Sequence, residues 1–334
     1  MKKLLTLFTL LLLPFCLSAA DLQKAEKLFQ DGDFATALPQ YQQLAANSSG
    51  NTRLQAQLRA AACQYHMGEY LNAAKTMLSY QLPKDNQWSA RFLLYRIHMA
   101  QQASRLYNRI LQEREIDTQE AQQDPEQWTR KQWQAQINKD YEALWAMRKD
   151  LLNFSTASET LILNTKETDL ERIPTLFDFT VQNWLDNLED DTPVVPLGAR
   201  TYLNGYASLH QTAKNDTEKR AQLLQTAYEL GGKNRQNAQL FWQTDYILLP
   251  FTHENAFTFS DKQKAAQEAI SRLNTLSGFA VQNKQATATT AYGRSYAVYQ
   301  AAQLAYNQDM RAQSLTLCQF ANTLTRTQIG RAHV

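Results

Sequence analysis

The residues of this sequence that could do chemistry are scattered rather than grouped at catalytic or metal-binding spacings. Four of the five histidines, those that precede the last seven residues, stand far apart in the chain: His66, His98, His210 and His253. The pair His253 and Glu254 begins like a zinc-protease motif, but the second histidine of H-E-x-x-H is missing. The sequence also has no glycine-rich phosphate loop, no G-x-S-x-G motif and no cysteine pair at zinc spacing. It therefore predicts no catalytic residue, no metal site and no cofactor.

The first twenty residues have the three parts of an export signal. Lysines occupy positions 2–3, an apolar stretch covers residues 4–15, and small residues at 18–20 form a cleavage site. Because the apolar stretch is short for a bilayer span, we expect cleavage between Ala20 and Asp21 rather than a membrane anchor. The sequence thus predicts a periplasmic or extracellular protein that meets the membrane only through its signal peptide before cleavage.

The export prediction also decides how the cysteines are interpreted. Phe15 precedes Cys16, whereas bacterial lipoproteins have a small residue before their lipidated cysteine, so lipidation is the less favoured alternative. Cleavage removes Cys16 and leaves Cys63 and Cys318, which are too few for a disulfide framework. Both lie in apolar helical contexts, so we expect buried free thiols, with a disulfide between them as the alternative.

The composition indicates an all-α protein. Of the 334 residues only 10 are glycine and 8 are proline, too few for the many turns of an all-β fold, while helix-compatible Gln and Ala are abundant. Loss of the two lysines of the signal lowers the formal net charge from +2 to zero, so no positive field attracts nucleic acid. We therefore predict an all-α fold with no sheet and no nucleic-acid binding.

An internal repeat is legible near the amino terminus. The segment AEKLFQDGDFATALPQYQQL, residues 25–44, aligns with AACQYHMGEYLNAAKTMLSY, residues 61–80. The two residues of every matched pair are separated by the same distance in sequence. The pairs are Gly32 with Gly68, Phe34 with Tyr70, Ala37 with Ala73, and Tyr41 with Met77. The spacing resembles that of tetratricopeptide repeats, in which glycine ends one helix, an aromatic ring lies between helices and alanine permits close approach. The resemblance implies a helical-repeat array.

Helical periodicity continues over most of the chain. In the first half it predicts helices over residues 87–116 and 129–152. The second should bury one inner face: Trp133, Ile137, Tyr141, Leu144, Trp145 and Met147. In the second half it predicts helices over residues 199–213, 217–230, 238–249, 261–276, 287–306 and 311–324. Ser260 and Gln263 form a capping box, and Gly278 is a natural helix end. Residues 250–260 form an aromatic loop that we expect to fold back onto its own core, with capping of the array or contact with a partner as the alternatives.

These elements predict a division of the chain into five parts. The signal peptide covers residues 1–20 and a tetratricopeptide-like array covers residues 21–190. A proline-rich hinge at 191–198 then leads to a second array of helical hairpins at 199–327. The last part, QIGRAHV at 328–334, matches one reading frame of a common sequencing adapter, so we expect the natural protein to continue beyond about Thr327.

One predicted helix lies within the segment IPTLFDFTVQNWLDNL, residues 173–188. Thr175 and Asp178 form a T-x-x-D start signal, in which the hydroxyl caps the helix and the carboxylate reaches back to the cap. Apolar residues at helical spacing, including Phe177, Val181 and Trp184, indicate an amphipathic helix that docks into a core.

Three passages, which are the exported start, residues 124–144 and residues 173–188, together resemble the amino-terminal helical region of bacterial, Bacteroidetes-type alpha-2-macroglobulin-like proteins. The matching positions form a W-T-R group, a late tyrosine and a P-T-L-F-D group: Trp128, Thr129, Arg130, Tyr141, Pro174, Thr175, Leu176, Phe177 and Asp178. The following helix departs from the family pattern, which continues with Ala-His-Arg-Ala where this chain has Thr180, Gln182, Asn183 and Trp184.

The resemblance implies a non-catalytic scaffold at the front of an exported protein that entraps proteases. Family members carry a cleavable bait segment and, in many, a thioester in a C-x-E-Q motif, which this sequence lacks. Neither Cys63 nor Cys318 is therefore assigned the thioester role. The alternative is a stand-alone periplasmic tetratricopeptide-like adaptor that binds a protein or peptide partner. An enzyme is not expected in either case.

Overall fold

The computed structural model describes residues 19–106, 124–190, 193, 195–206, 212–278 and 290–325. The predicted all-α fold is confirmed over these residues. The chain divides into two compact units, Met1–Arg148 and Lys149–Val334. Within the described residues, no helix is both long and apolar enough to cross a membrane. Residues 1–18 of the predicted signal peptide, His210 and the adapter-like tail at 328–334 lie outside the described residues.

The first unit is built from helices that pack mainly on their neighbours in sequence. Their bounds are α1, residues 19–30; α2, Phe34–Asn47; α3, Gly50–His66; α4, Tyr70–Ser79; α5, Asn86–Leu106; and α6, Arg130–Ala146. Helix α3 packs on α2 and α4, and α5 packs on α4 and α6. The predicted cleavage residues Ala20 and Asp21 are exposed in α1. Such sequential packing is what a helical array requires, although the tetratricopeptide assignment itself stays a prediction.

The two turns of the internal repeat have the same geometry. Gly32 follows α1 with φ +80° and Gly68 follows α3 with φ +82°, the left-handed conformation expected of glycines that end helices. Ala37, Tyr41, Ala73 and Met77, on the helices that follow, are fully buried. The ring of Phe34 lies 5.2 Å from that of Phe29, and the ring of Tyr70 lies 5.1 Å from that of Tyr65, both edge to face. The repeat in sequence is therefore also a repeat in packing.

Helix α6 buries four of the six residues that the sequence pattern places on its inner face, whereas Trp145 and Met147 are only partly buried. Trp133, Ile137, Tyr141 and Leu144 are at most 1% exposed. The helix begins with a capping box between Thr129 and Gln132. It ends at Ala146 instead of continuing to residue 152, and a separate short helix, α7, covers Arg148–Leu151.

The second unit contains the remaining helices. Their bounds are α8, Leu176–Asn187; α9, Ala199–Leu203; α10, Asp216–Glu229; α11, Gln236–Thr252; α12, Lys262–Ser277; α13, Ala291–Asn307; and α14, Arg311–Thr325. The predicted helix at 199–213 is wrong in its length, because Gly205, with φ +116°, ends the helical backbone. Helix α11 runs past residue 249 and includes Pro250. Asp261, rather than the predicted Ser260, caps α12, which ends at Gly278 as expected.

The expectation that the chain contains no sheet needs a correction. Two strands of two residues, β1 (Leu197–Gly198) and β2 (Phe257–Thr258), pair in parallel, with Leu197 opposite Phe257. Phe257 is buried, and its ring lies 5.1 Å from that of Tyr202. The aromatic loop thus folds back onto its own core, and the pairing of two residues is too short to leave a period in the sequence.

The unit boundary falls between Arg148 and Lys149 rather than at the predicted hinge, residues 191–198. The reason is that α8 packs against α10 and shares buried hydrogen bonds with α11. The proline-rich segment is therefore a connection inside the second unit.

Cys63 and Cys318, the two cysteines among the described residues, are both free thiols. Cys63 is fully buried, as expected, whereas Cys318 is exposed, which corrects the prediction of a buried thiol. Its neighbour Leu317 turns into the core, at 1% exposure. Adjacent positions on a helix point in different directions, so Cys318 faces solvent.

Candidate functional site

The helix start predicted from T-x-x-D is present at the amino end of α8, but only half of the expected capping box forms. The Thr175 hydroxyl accepts a hydrogen bond from the Asp178 backbone N–H at 3.3 Å. The Asp178 carboxylate does not reach back to the cap backbone. Instead its Oδ2 accepts from the Thr175 hydroxyl at 2.6 Å and the carboxylate turns into the core.

Asp178 meets two donors from distant parts of the second unit. Arg235 donates from Nε to Oδ2 at 2.9 Å and from Nη2 to Oδ1 at 2.6 Å. Trp242 donates from Nε1 to Oδ1 at 2.9 Å. Asp178, Arg235 and Trp242 are all fully buried, and we call them, with Thr175, the buried joint. Because a buried carboxylate is costly without partners, this complete set of donors stabilises it.

The guanidinium of Arg235 also satisfies the carboxyl end of α10. Its Nη2 donates to the Ala227 carbonyl at 3.0 Å, and its Nη1 donates to the Leu230 carbonyl. The last carbonyls of a helix lack hydrogen-bond donors within the helix, and Arg235 supplies these donors. The ring of Phe177 lies 5.1 Å from the guanidinium carbon. The buried joint therefore fastens α8, the end of α10 and α11 together.

A second charged cluster lies beside the joint. Arg172 Nη2 contacts Asp245 Oδ2 at 2.8 Å, and the Tyr296 hydroxyl donates to Asp245 Oδ1 at 2.7 Å. The Arg172 guanidinium also lies 5.2 Å from the Trp242 ring. Burial raises the pKa of Asp245, and the Arg172 charge opposes that shift. These groups bind one another rather than facing open space.

An open cleft of about 470 Å³ adjoins the buried joint, and Thr175 is part of its wall. Two lysines, Lys149 and Lys233, are part of its lining. The turn between α10 and α11 supplies Gly231, Gly232 and Lys233. The sequence gives no sign of this cleft, because Lys149 and Lys233 are distant in the chain. It gives no sign of the role of Arg235 either, because a single arginine between two helices forms no pattern.

The structure divides the residues that carry the family resemblance between the two units. In the first unit the ring of Trp128 lies 4.8 Å from that of Trp133, Arg130 is exposed, and buried Tyr141 accepts from Gln101 at 3.2 Å. In the second unit residues 174–178 form the start of α8. Trp128 and Tyr141 thus make contacts within the first unit, and residues 174–178 begin a helix of the second unit.

The histidines described by the structure contact aromatic rings or a single carboxylate. Among the described residues, no three histidine, cysteine, aspartate or glutamate side chains come close enough to hold a metal ion. His66 stacks on Phe34, with ring centroids 4.6 Å apart, and His98 lies 5.0 Å from the Tyr65 ring. His253 contacts Asp190 at 3.0 Å. Comparison with protein-family models, with curated proteins and with solved structures finds no match to this chain.

Proposed function

We propose that this chain is a non-catalytic helical scaffold, the front region of an exported, alpha-2-macroglobulin-like protein that entraps proteases. In this proposal the segment that carries the resemblance serves to hold helices together, and the protease would be engaged by bait and thioester regions elsewhere in the protein.

The observation that carries the proposal is the bonding of Asp178. Its carboxylate accepts four hydrogen bonds, from Thr175, from Arg235 twice and from Trp242. A carboxylate that acts as a base or nucleophile needs a free lone pair within reach of a substrate. Asp178 is fully buried and saturated, so it supports the architecture rather than a reaction.

The reading frame beyond Thr327 in the native gene provides the most direct test. We expect it to encode β-rich domains totalling well over the length of the present chain, with or without a C-x-E-Q motif. A stop codon shortly after Thr327 would overturn the proposal and leave the adaptor function.

The activity itself is tested with the full-length gene product and a protease of broad specificity. An entrapped protease should keep its activity on a small chromogenic peptide but lose it on a large protein substrate, because the trap blocks only large molecules. Equal activity on both substrates, with and without the protein, would contradict entrapment.

The second candidate function is a periplasmic adaptor that binds a protein or peptide partner. It is favoured by the matching turns at Gly32 and Gly68 and by the neighbour-on-neighbour packing of α2 to α6. Arrays of this kind use extended surfaces to bind peptides or helices. This candidate predicts a short gene product and no effect on proteases.

A further inference from the structure

The cleft beside the buried joint has the dimensions of a ligand site. Its volume of about 470 Å³ lies inside the range of roughly 300–1,000 Å³ that is common for ligand pockets. It is open to solvent, so a peptide could enter it. It belongs to the second unit alone and includes none of the residues of the internal repeat.

The charged side chains in the lining of the cleft are both positive. Lys149 and Lys233 are exposed, and within the described residues neither ammonium group has an ion pair or hydrogen bond. None of the lining residues is acidic. Two unpaired cations with no neutralising carboxylate attract an anionic ligand and disfavour a cationic one.

The rest of the lining suits a peptide better than a small inorganic anion. Leu152, Leu170 and Pro174 supply apolar surface, while Asn153 and Asn234 supply amide groups that can donate and accept. An inorganic anion would leave the apolar surface without a partner. A short peptide can cover it with an apolar side chain between two acidic ones.

The wall of the cleft also offers a main-chain N–H group that could bind a peptide strand. Ser155 and Thr175 face each other across an isolated antiparallel bridge. The hydrogen bonds of this bridge are made by neighbours: Thr156 N–H donates to Pro174 and Leu176 N–H donates to Phe154. The main-chain N–H of Ser155 therefore points away from the bridge and is available to an added peptide strand.

The buried joint holds this wall in place. Thr175 belongs to both, and a β-carbon added at Gly232 would lie only 2.9 Å from Cδ of buried Arg235. The glycine turn thus rests directly on the arginine. A site on a rigid support loses less entropy when a ligand binds.

From these observations we propose that the cleft binds a short acidic peptide segment, with Lys149 and Lys233 pairing its carboxylates. The proposal goes beyond the scaffold function and does not depend on protease entrapment. It names a second place at which the chain meets a protein partner.

The test uses the whole purified chain and a fluorescein-labelled peptide in which two glutamates flank a leucine. We expect saturable binding by fluorescence anisotropy, weakening as salt is added. The double variant Lys149→Gln with Lys233→Gln should bind about tenfold more weakly, since two exposed ion pairs are lost. The matched control removes two exposed lysines elsewhere, Lys24→Gln with Lys264→Gln, and should leave binding unchanged.

Three further probes separate the possible ligands. The same peptide with glutamines in place of glutamates should bind at least about tenfold more weakly, and inorganic phosphate and free succinate should not displace the acidic peptide at millimolar concentration. No saturable binding by the unmodified chain, or equal binding by both double variants, would overturn the proposal. Displacement by phosphate or succinate would overturn the peptide assignment in favour of a general anion site. Thermal unfolding of each variant confirms that the fold is intact, and the entrapment assay is independent of every outcome.

Discussion

Asp178 and Arg235, 57 residues apart in sequence, form a fully buried ion pair with two hydrogen bonds of 2.9 and 2.6 Å. The pair joins the start of α8 to the turn before α11, and Trp242 completes it from within α11. Removing one member of a buried pair leaves an uncompensated charge or polar group, which is far more destabilising than loss of a surface pair.

Asp178→Asn should therefore destabilise the second unit strongly. We expect a loss of about 3–5 kcal/mol in the free energy of unfolding, measured by urea denaturation followed by tryptophan fluorescence. Asp186→Asn, an exposed change on the same helix, is the control and should stay within about 0.5 kcal/mol of the parent. A loss below about 1 kcal/mol for Asp178→Asn would show that the joint is not a major support.

Replacing both partners by apolar residues tests the same joint in another way. The double variant Asp178→Leu with Arg235→Met should lose less stability than the sum of its two single variants, because no charge is left buried alone. Additive losses, measured by the same denaturation, would contradict the coupling.

The small residues of the repeat should resist enlargement. Ala37 and Ala73 have no exposed surface, so Ala37→Trp or Ala73→Trp overpacks the helix pair and should cost about 1–3 kcal/mol. Ala35→Trp, at an exposed position of the same helix as Ala37, is the matched control. Thermal unfolding that is unchanged in both buried variants would count against the repeat packing.

The turn glycines of the repeat should be equivalent in energy as well as in shape. Gly32→Ala and Gly68→Ala force a side chain into the left-handed region, and each should cost about 1–2 kcal/mol. Gly231→Ala is the control, because its added β-carbon meets no atom within 4 Å and its φ is not positive. A marked difference between the two repeat glycines in thermal melts would argue against equivalent turns.

The two glycines before Lys233 should differ sharply. Gly232→Ala places a β-carbon 2.9 Å from Arg235 Cδ, and the buried arginine cannot move away without losing Asp178. We expect a loss of about 1–3 kcal/mol in unfolding free energy, against a change within about 0.5 kcal/mol for Gly231→Ala. Equal stability of the two variants would mean that the turn does not rest on Arg235.

The two thiols should differ in reactivity. Burial raises the pKa of the Cys63 thiol to about 12, from an ordinary value of 9.0. At pH 8 the thiolate that reacts with Ellman's reagent is therefore almost absent at Cys63, while exposed Cys318 is accessible. In protein with Cys16→Ser, we expect one fast-reacting thiol in the native state and a second only after denaturation. Adding Cys318→Ser should abolish the fast reaction, and a fast reaction that persists would contradict the burial of Cys63.

The same pKa shift has a consequence for stability. Between pH 9.0 and about 12 the folded state keeps the Cys63 proton that the unfolded state releases. In this window the folded state binds more protons than the unfolded state. The contribution of Cys63 to stability therefore falls as the pH rises from 9.0 to about 12. Comparison of the parent with Cys63→Ala over this range isolates the effect, and parallel stability curves would contradict it.

Local patterns were enough to predict most of the helices and the packing of the repeat. Helical periodicity and end signals act over a few residues, so Gly32, Gly68, Gly278 and the stripe from Trp133 to Leu144 could be read directly. The same rules could not predict that α9 ends at Leu203, because the left-handed backbone at Gly205 leaves no period of its own.

Local sequence patterns are therefore enough to predict the class of fold, most of the buried faces and the turns of the repeat, since each depends on neighbours three or four positions away. By contrast, the bonds of Asp178 to Arg235 and Trp242, the pairing of β1 with β2 and the place of α8 in the second unit arise only on folding. Lys149 and Lys233 likewise meet at one cleft only after folding. The physical reason is that contacts between distant segments depend on how whole helices pack, and that packing leaves no periodic signal in the chain.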